Sequence, residues 1–171
     1  MDAIKNYAKT VKLAENGKFG KPQVINAYVN TLKTGEGLVQ FVYNQLCLLD
    51  GVMGASVDKE SVNVFDGAYK NGFVVREYAN KRLLRYTFAR APMSEREEII
   101  VYCTDGEIRL DGVLGEIGTL IQYPDLDPTP FTDEMDVTDT LDFANGKIGN
   151  NRISSEQMAK NLSIAKKLAG I

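Results

Sequence analysis

Phe73-Val74-Val75-Arg76-Glu77-Tyr78-Ala79-Asn80-Lys81-Arg82-Leu83-Leu84-Arg85-Tyr86-Thr87-Phe88-Ala89-Arg90 is the stretch on which the fold turns. Val75, Ala79, Leu83 and Tyr86 recur at the spacing of one face of an amphipathic helix, and Pro92 closes the run. Read in this way, 73–90 is the last helix of a helical core over 22–92.

Upstream, Pro22 suits a first helical turn, and Val24, Tyr28 and Leu32 follow at helical intervals. Leu38 to Asp50 is apolar nearly all round, which predicts a central buried helix. Asp2 can cap an N-terminal helix over 1–17, with Ile4, Ala8 and Val11 on one face and Gly17 at its end. Val52 to Asp58 reads as a loop, and Val62 to Phe65 as a helix end or a short strand.

Downstream, the segment 93–122 is mixed. Ser94 and Glu97 have the spacing of a capping box, yet Ile99-Ile100-Val101-Tyr102 is β-prone and Asp105-Gly106 is a hairpin signal. The crowding of β-branched residues before Asp-Gly favours a hairpin near 99–110. Gly112, Gly115 and Gly118 recur every third residue, and Pro124, Pro128 and Pro130 impose an extended strap over 123–150. Ser154 and Gln157 form a second capping box, and Met158, Leu162, Ala165 and Ala169 repeat along one face of a C-terminal helix over 154–169. The expectation is a mainly α fold: a single helical domain, 1–171, with a small β-hairpin near 99–110 and an extended acidic, proline-containing strap.

The composition narrows the chemistry. The chain has no histidine, which excludes Ser-His-Asp and Cys-His nucleophile systems and most catalytic zinc sites. Two cysteines, Cys47 and Cys103, sit far apart in apolar surroundings, make no zinc spacing, and read as buried and reduced. The start of the chain shows no signal peptide, and the greasiest segment carries Gln40, Asn44 and Gln45, too polar to cross a bilayer.

Motifs that touch catalysis fail on context. Asp125-Leu126-Asp127-Pro128-Thr129 matches the Asp-x-Asp-x-Thr pattern of aspartate-based phosphotransferases, but a proline lies inside it and Tyr123-Pro124 precedes it. As a calcium loop the same segment has donors at Asp125, Asp127, Thr129, Asp133 and Asp136, but places Pro130 where the turn glycine belongs. Ser163-Ile164-Ala165-Lys166 fits Ser-x-x-Lys on a basic helix, where its lysine would stay solvated. No cofactor or metal is expected.

Charge is segregated. Leu110 to Gly146 holds nine acidic residues and no Lys or Arg, whereas the 25 residues after it net +4. Lys81, Arg82, Arg85 and Arg90 lie within ten residues beside Tyr78, Tyr86 and Phe88, a composition suited to a nucleic-acid backbone. Acidic Asp125, Asp127, Asp133 and Asp136 could meet basic Lys160 and Lys167 of another copy in a head-to-tail contact. The expected function is therefore a non-enzymatic, self-assembling structural subunit, as in viral coats, nucleoproteins or phage particles, located in the cytoplasm or the virion. The alternative is a small regulatory or adaptor protein that holds a basic partner through the acidic 123–142 strap. A magnesium-dependent enzyme using the strap carboxylates is the third reading.

Overall fold

The computed structural model describes residues 2–92, 94–132 and 140–171. Its order is α1 (Asp2–Asn16), β1 (Pro22–Asn30), α2 (Gly35–Met53), β2 (Val57–Asp66), β3 (Lys70–Tyr78), β4 (Leu83–Arg90), β5 (Arg96–Cys103), β6 (Gly106–Gly112), β7 (Ile117–Gln122) and β8 (Thr129–Pro130). A small second sheet follows, of β9 (Leu141–Asp142), β10 (Lys147–Ile148) and β11 (Asn151–Arg152), and then α3 (Ser155–Ala169).

The mainly α expectation is overturned: eight strands form one mixed sheet in the order β2-β3-β4-β1-β5-β6-β7-β8. The stretch 73–90 is two strands around a turn at Ala79–Arg82, with Lys81 in the left-handed region at φ 65°. Residues four apart lie on one face of a strand as well as of a helix, so the spacing of Val75, Ala79 and Leu83 could not separate the two. The strand alternation is plain in the burial. Val74, Arg76 and Tyr78 of β3 and Leu84, Tyr86 and Phe88 of β4 are fully buried, and Val75, Glu77, Arg85 and Thr87 face the other way.

The helix expected from Pro22 is corrected for the same reason. Val24 and Tyr28 are the outward positions of β1, and Ile25, Ala27 and Val29 are the buried ones. The Asp105-Gly106 hairpin is present as β5 and β6, two full members of the main sheet. Ser94 and Glu97 cap no helix; Glu97 points into the core from β5. Within the strap, β8 adds to the edge of the main sheet beside β7.

All three helices pack on one face of the sheet, α1 over β6, α2 over β1, and α3 over β2 and β3. The buried alternate residues of every central strand point to that layer. The outward alternates form cross-strand rows such as Ser61, Val75, Arg85, Asn26, Ile100, Arg109 and Thr119, in which Ser61 and Arg85 are exposed, Ile100 is buried and the others are intermediate. β1 is the centre of this arrangement, parallel to β4 and antiparallel to β5.

One buried ion pair sets how helices meet sheet. The Arg76 side chain on β3 is wholly enclosed; its Nη1 donates to both oxygens of Asp50 on α2 at 2.8 and 2.9 Å. Its Nε donates to Glu60 on β2 at 2.7 Å and its Nη2 to Asn161 on α3 at 2.8 Å. Tyr78 and Asn161 also donate to Asp50, at 2.6 and 2.8 Å. Removing one partner leaves a buried charge uncompensated, so Asp50→Ala is expected to destabilise the fold by about 3–5 kcal/mol. Urea unfolding followed by circular dichroism measures this, and a cost under about 1 kcal/mol would show that the pair is not organising the core.

Candidate functional site

In open α/β sheets ligands gather beyond the carboxyl ends of the parallel strands. Here that edge lies beyond β1 and β4, where α2 begins. Thr34 stands at the N-cap of α2 without a side-chain hydrogen bond to the helix, and Gly35, Glu36 and Gly37 are exposed. The first backbone N–H groups of a helix have no intrahelical partner and favour an anion. Lys33 reaches over the Phe41 ring beside them, at 5.7 Å. Glu36 opposes that field, so the end is suited to a neutral or zwitterionic polar ligand as much as to an anion.

The approach to α2 is held by hydrogen bonds to the 91–95 connection. Asn30 donates to the Ser94 carbonyl at 3.1 Å and accepts from the Ala91 amide at 3.0 Å. Glu95 accepts from the Thr31 hydroxyl at 3.0 Å and from the Leu32 amide at 3.2 Å. These bonds tie both parallel strand ends into one rigid rim. Gly35 and Gly37 begin a Gly-x-Gly pattern after a strand, but Gln40 stands where a dinucleotide fingerprint needs its third glycine.

Beneath this rim, on the helix side, lies a buried carboxyl with a strongly raised pKa. Glu97 pairs in register with Val29 near the end of β1 and is completely buried. The Tyr7 hydroxyl of α1 donates to its Oε2, and Gln45 of α2 donates to the Tyr7 oxygen at 3.1 Å. Burial pushes the Glu97 carboxyl up from 4.5 to about 7, against the opposing effect of the Tyr7 hydrogen bond. Burial, and then the Glu97 charge, pushes the Tyr7 and Tyr86 hydroxyls well above the ordinary tyrosine range. A buried carboxyl poised near neutrality can hold or release a proton at working pH.

The residues singled out from the sequence are scattered. Lys81, in the β3–β4 turn, lies 3.4 Å from Glu77 and 3.7 Å from Asp58. Arg82 donates to the Met53 carbonyl at 2.8 Å and lines a cleft of about 720 Å³ at the opposite end of the sheet from the rim. Arg85 faces outward beside Asn26, and Arg90 ends β4 opposite Lys70. The four therefore share no helix face. Asp125 and Asp127 border a cavity of about 400 Å³ with Lys18 and Phe19. Lys160 and Lys167 are exposed on α3, over the other edge of the sheet. Asp133 and Asp136 lie outside the described residues.

Cys47 and Cys103 are buried and free, as expected of them; burial raises both thiols, Cys103 to about 11. Among the described residues no helix is long and apolar enough to cross a membrane, and no cluster of carboxylates and thiols is arranged to hold a metal. Sequence reasoning missed Tyr7, Gln45, Tyr86 and Glu97 as a group. The signal for Glu97 was its position two residues before Ile99 and four before Val101, on the same face of a strand.

No family model matches the sequence, and no curated protein matches it. Solved structures do. UDP-N-acetylglucosamine 3-dehydrogenase from Acidithiobacillus ferrooxidans is similar over 98% of this chain and 59% of its own, with a TM-score of 0.65 and 10% identity. A dehydrogenase from Chromobacterium violaceum is similar over 98% of this chain and 57% of its own, with a TM-score of 0.64 and 7% identity. An oxidoreductase from Agrobacterium radiobacter, solved with NAD+, L-tartaric acid and magnesium, is similar over 94% and 48%, with a TM-score of 0.57 and 15% identity.

At these identities the likeness is one of fold, and the chain spans 48% to 59% of the length of these proteins. It corrects the expected function all the same. The proteins that share this sheet are named as dehydrogenases and oxidoreductases, not as coat, nucleoprotein or adaptor subunits, and a non-enzymatic reading and a virion location have no support in them.

The Glu97 environment gives a signed prediction. A carboxyl near 4.5 when unfolded and near 7 when folded binds more protons in the folded state between those values. Stability should therefore fall by about 3 kcal/mol as pH rises from about 4.5 to 7, and stay level above that. Glu97→Gln should remove this slope and unfold at higher denaturant at pH 8, as read from urea midpoints across the pH range.

Proposed function

We propose that this chain is the substrate-side domain of an oxidoreductase, and that the nicotinamide cofactor is held by a separate nucleotide-binding domain or subunit. The observation that carries the reading is the match of nearly the whole chain to part of several dehydrogenases. Among the described residues the main sheet has a single parallel pair, and the glycine pattern at α2 is incomplete. On this reading the rim at the carboxyl ends of β1 and β4 faces the substrate, with the amides of Gly35, Glu36 and Gly37 and the side chains of Thr34 and Lys33 as the polar contacts. A hydroxylated organic acid or a sugar derivative is the substrate class that such donors recognise.

The test is a titration of the 15N-labelled chain followed by NMR. L-Tartrate or UDP-N-acetylglucosamine should shift the amides of residues 31–40 saturably, and NADH alone should shift none. Saturable NADH binding by the isolated chain would contradict the division of labour, and silence towards both acid and sugar nucleotide would contradict the substrate role.

The outward sheet face supports a second element of the proposal, pairing with another copy of the chain. Val24, Leu83, Ile100 and Tyr102 lie together there, flanked by Phe73 and Tyr28, and Asn26 at their centre keeps an Oδ1 atom without a partner. A face left open on one side of a two-layer domain is a ready surface for an isologous contact. Light scattering after size exclusion should return a dimer or a multiple of it, and Ile100→Glu should return a monomer. A wild-type monomer at high protein concentration would refute this element.

A further inference from the structure

Among the described residues, two buried polar clusters lie between helices and sheet, and they differ in one respect. Around Arg76 every donor and acceptor of Asp50 and Asn161 that approaches the guanidinium is used. Around Glu97 three atoms are left over: Glu97 Oε1, Gln45 Oε1 and the Tyr86 hydroxyl, each buried and without a hydrogen-bond partner. Gln45 is 3% exposed and Tyr86 and Glu97 are not exposed at all, so none of the three can turn to bulk water. They come from α2, β4 and β5; the Tyr7 hydroxyl is bonded to both Glu97 and Gln45, and Tyr86 lies near enough to feel the Glu97 charge.

Native proteins rarely leave such groups unpaired, and a concentration of them calls for a guest. The chemistry of the guest follows from the atoms. Two of the three are acceptors only, a carboxylate oxygen and an amide carbonyl, and the third is a hydroxyl that can give one proton. What is missing is a small hydrogen-bond donor. The β6–β7 turn lies over the Tyr7–Glu97 pair. Leu114 and Gly115 hold left-handed backbone there, at φ 54° and 68°, and Asn6 donates to the Gly115 and Glu116 carbonyls at 3.0 and 2.9 Å. A Cβ on Gly115 would sit 3.1 Å from Tyr7 and 3.4 Å from Glu97 Oε2, so the turn touches the cluster directly.

We propose that Tyr7, Gln45, Tyr86 and Glu97 form an internal site for a water molecule, roofed by the 112–116 turn, in which water and a proton on Glu97 are alternative ways of satisfying the same acceptors. With Glu97 ionised, the water donates to Glu97 Oε1 and Gln45 Oε1 and is fixed by Tyr86. With Glu97 protonated, its own O–H becomes a donor and the water is held less firmly. Tyr7 from α1 bonds Glu97 directly, Tyr86 from β4 feels its charge, Gln45 from α2 and the Leu114 carbonyl of the turn reach it through the Tyr7 hydroxyl, and no described Lys or Arg forms an ion pair with it. With no cation to fix its charge, Glu97 depends on the water for solvation. The site stands on these contacts and is independent of the redox reading.

The experiment is NMR on the intact chain with 13C-labelled glutamate carboxyls, titrated across the neutral range, together with water-to-protein cross-relaxation at each end. Glu97 is identified by the resonance lost in Glu97→Gln. The expected result is a midpoint near 7 instead of 4.5, with a long-lived water contacting Tyr7 and Tyr86 ring protons more strongly above the midpoint than below. Titration with the ordinary glutamates, or no long-lived water at any pH, would overturn the proposal. Tyr86→Phe, which keeps the ring, gives a second route if Glu97→Gln fails to fold. It should weaken the water contact to Tyr7 and move the Glu97 midpoint upward, and an unchanged contact and midpoint would overturn the proposal equally.

Discussion

A guanidinium enclosed in a protein core must have its charge and its donors satisfied, and Arg76 meets that demand from three other elements at once. Asp50 on α2, Glu60 on β2 and Asn161 on α3 can reach it together only when α2 and α3 are held in one register against each other and against the sheet. The apolar contacts around them tolerate small slides; the hydrogen bonds do not. The helix layer is thereby confined to one face of the sheet, and the opposite face is left with half-exposed residues on every central strand.

That asymmetry frames the functional reading. The helix face contains both buried polar clusters, one closed and one with unpaired atoms, and the rim beyond β1 and β4 is where the α2 N-terminus opens to solvent. Among the described residues the glycine pattern at α2 lacks its third glycine, and the role proposed for this chain is one of recognition, positioning and proton handling. The chain's likeness in fold to parts of larger dehydrogenases is what the proposed division between this chain and a nucleotide-binding domain or subunit rests on.

The helices were legible in the sequence and most of the strands were not, for a physical reason. α1, α2 and α3 each show a capping residue or a continuous apolar face, and the Ser154 hydroxyl does accept from the Gln157 amide at 3.1 Å. In β1, β3 and β4 the apolar residues chosen four apart were compatible with both periods, and the β-branched and aromatic enrichment of Phe73-Val74-Val75 and Tyr86-Thr87-Phe88 was the discriminating signal left unused. The polar clusters were invisible for another reason. Arg76 carried no signal of its own and Glu97 read as part of a capping box, because local sequence does not reveal burial and their partners come from 16 to 90 residues away. The basic run 81–90 suggested a surface stripe that a β-turn and a strand disperse.

Native-state hydrogen exchange across α2, β3 and α3 tests the central claim most directly. If the Arg76 network fixes these elements as a unit, their slowest amides will exchange with one common opening free energy, equal to that of global unfolding, and a conservative Asp50→Asn change will lower all three together. If α3 opens at distinctly lower free energy while α2 and β3 stay protected, the ion pair does not bind the helix layer to the sheet, and the account is wrong.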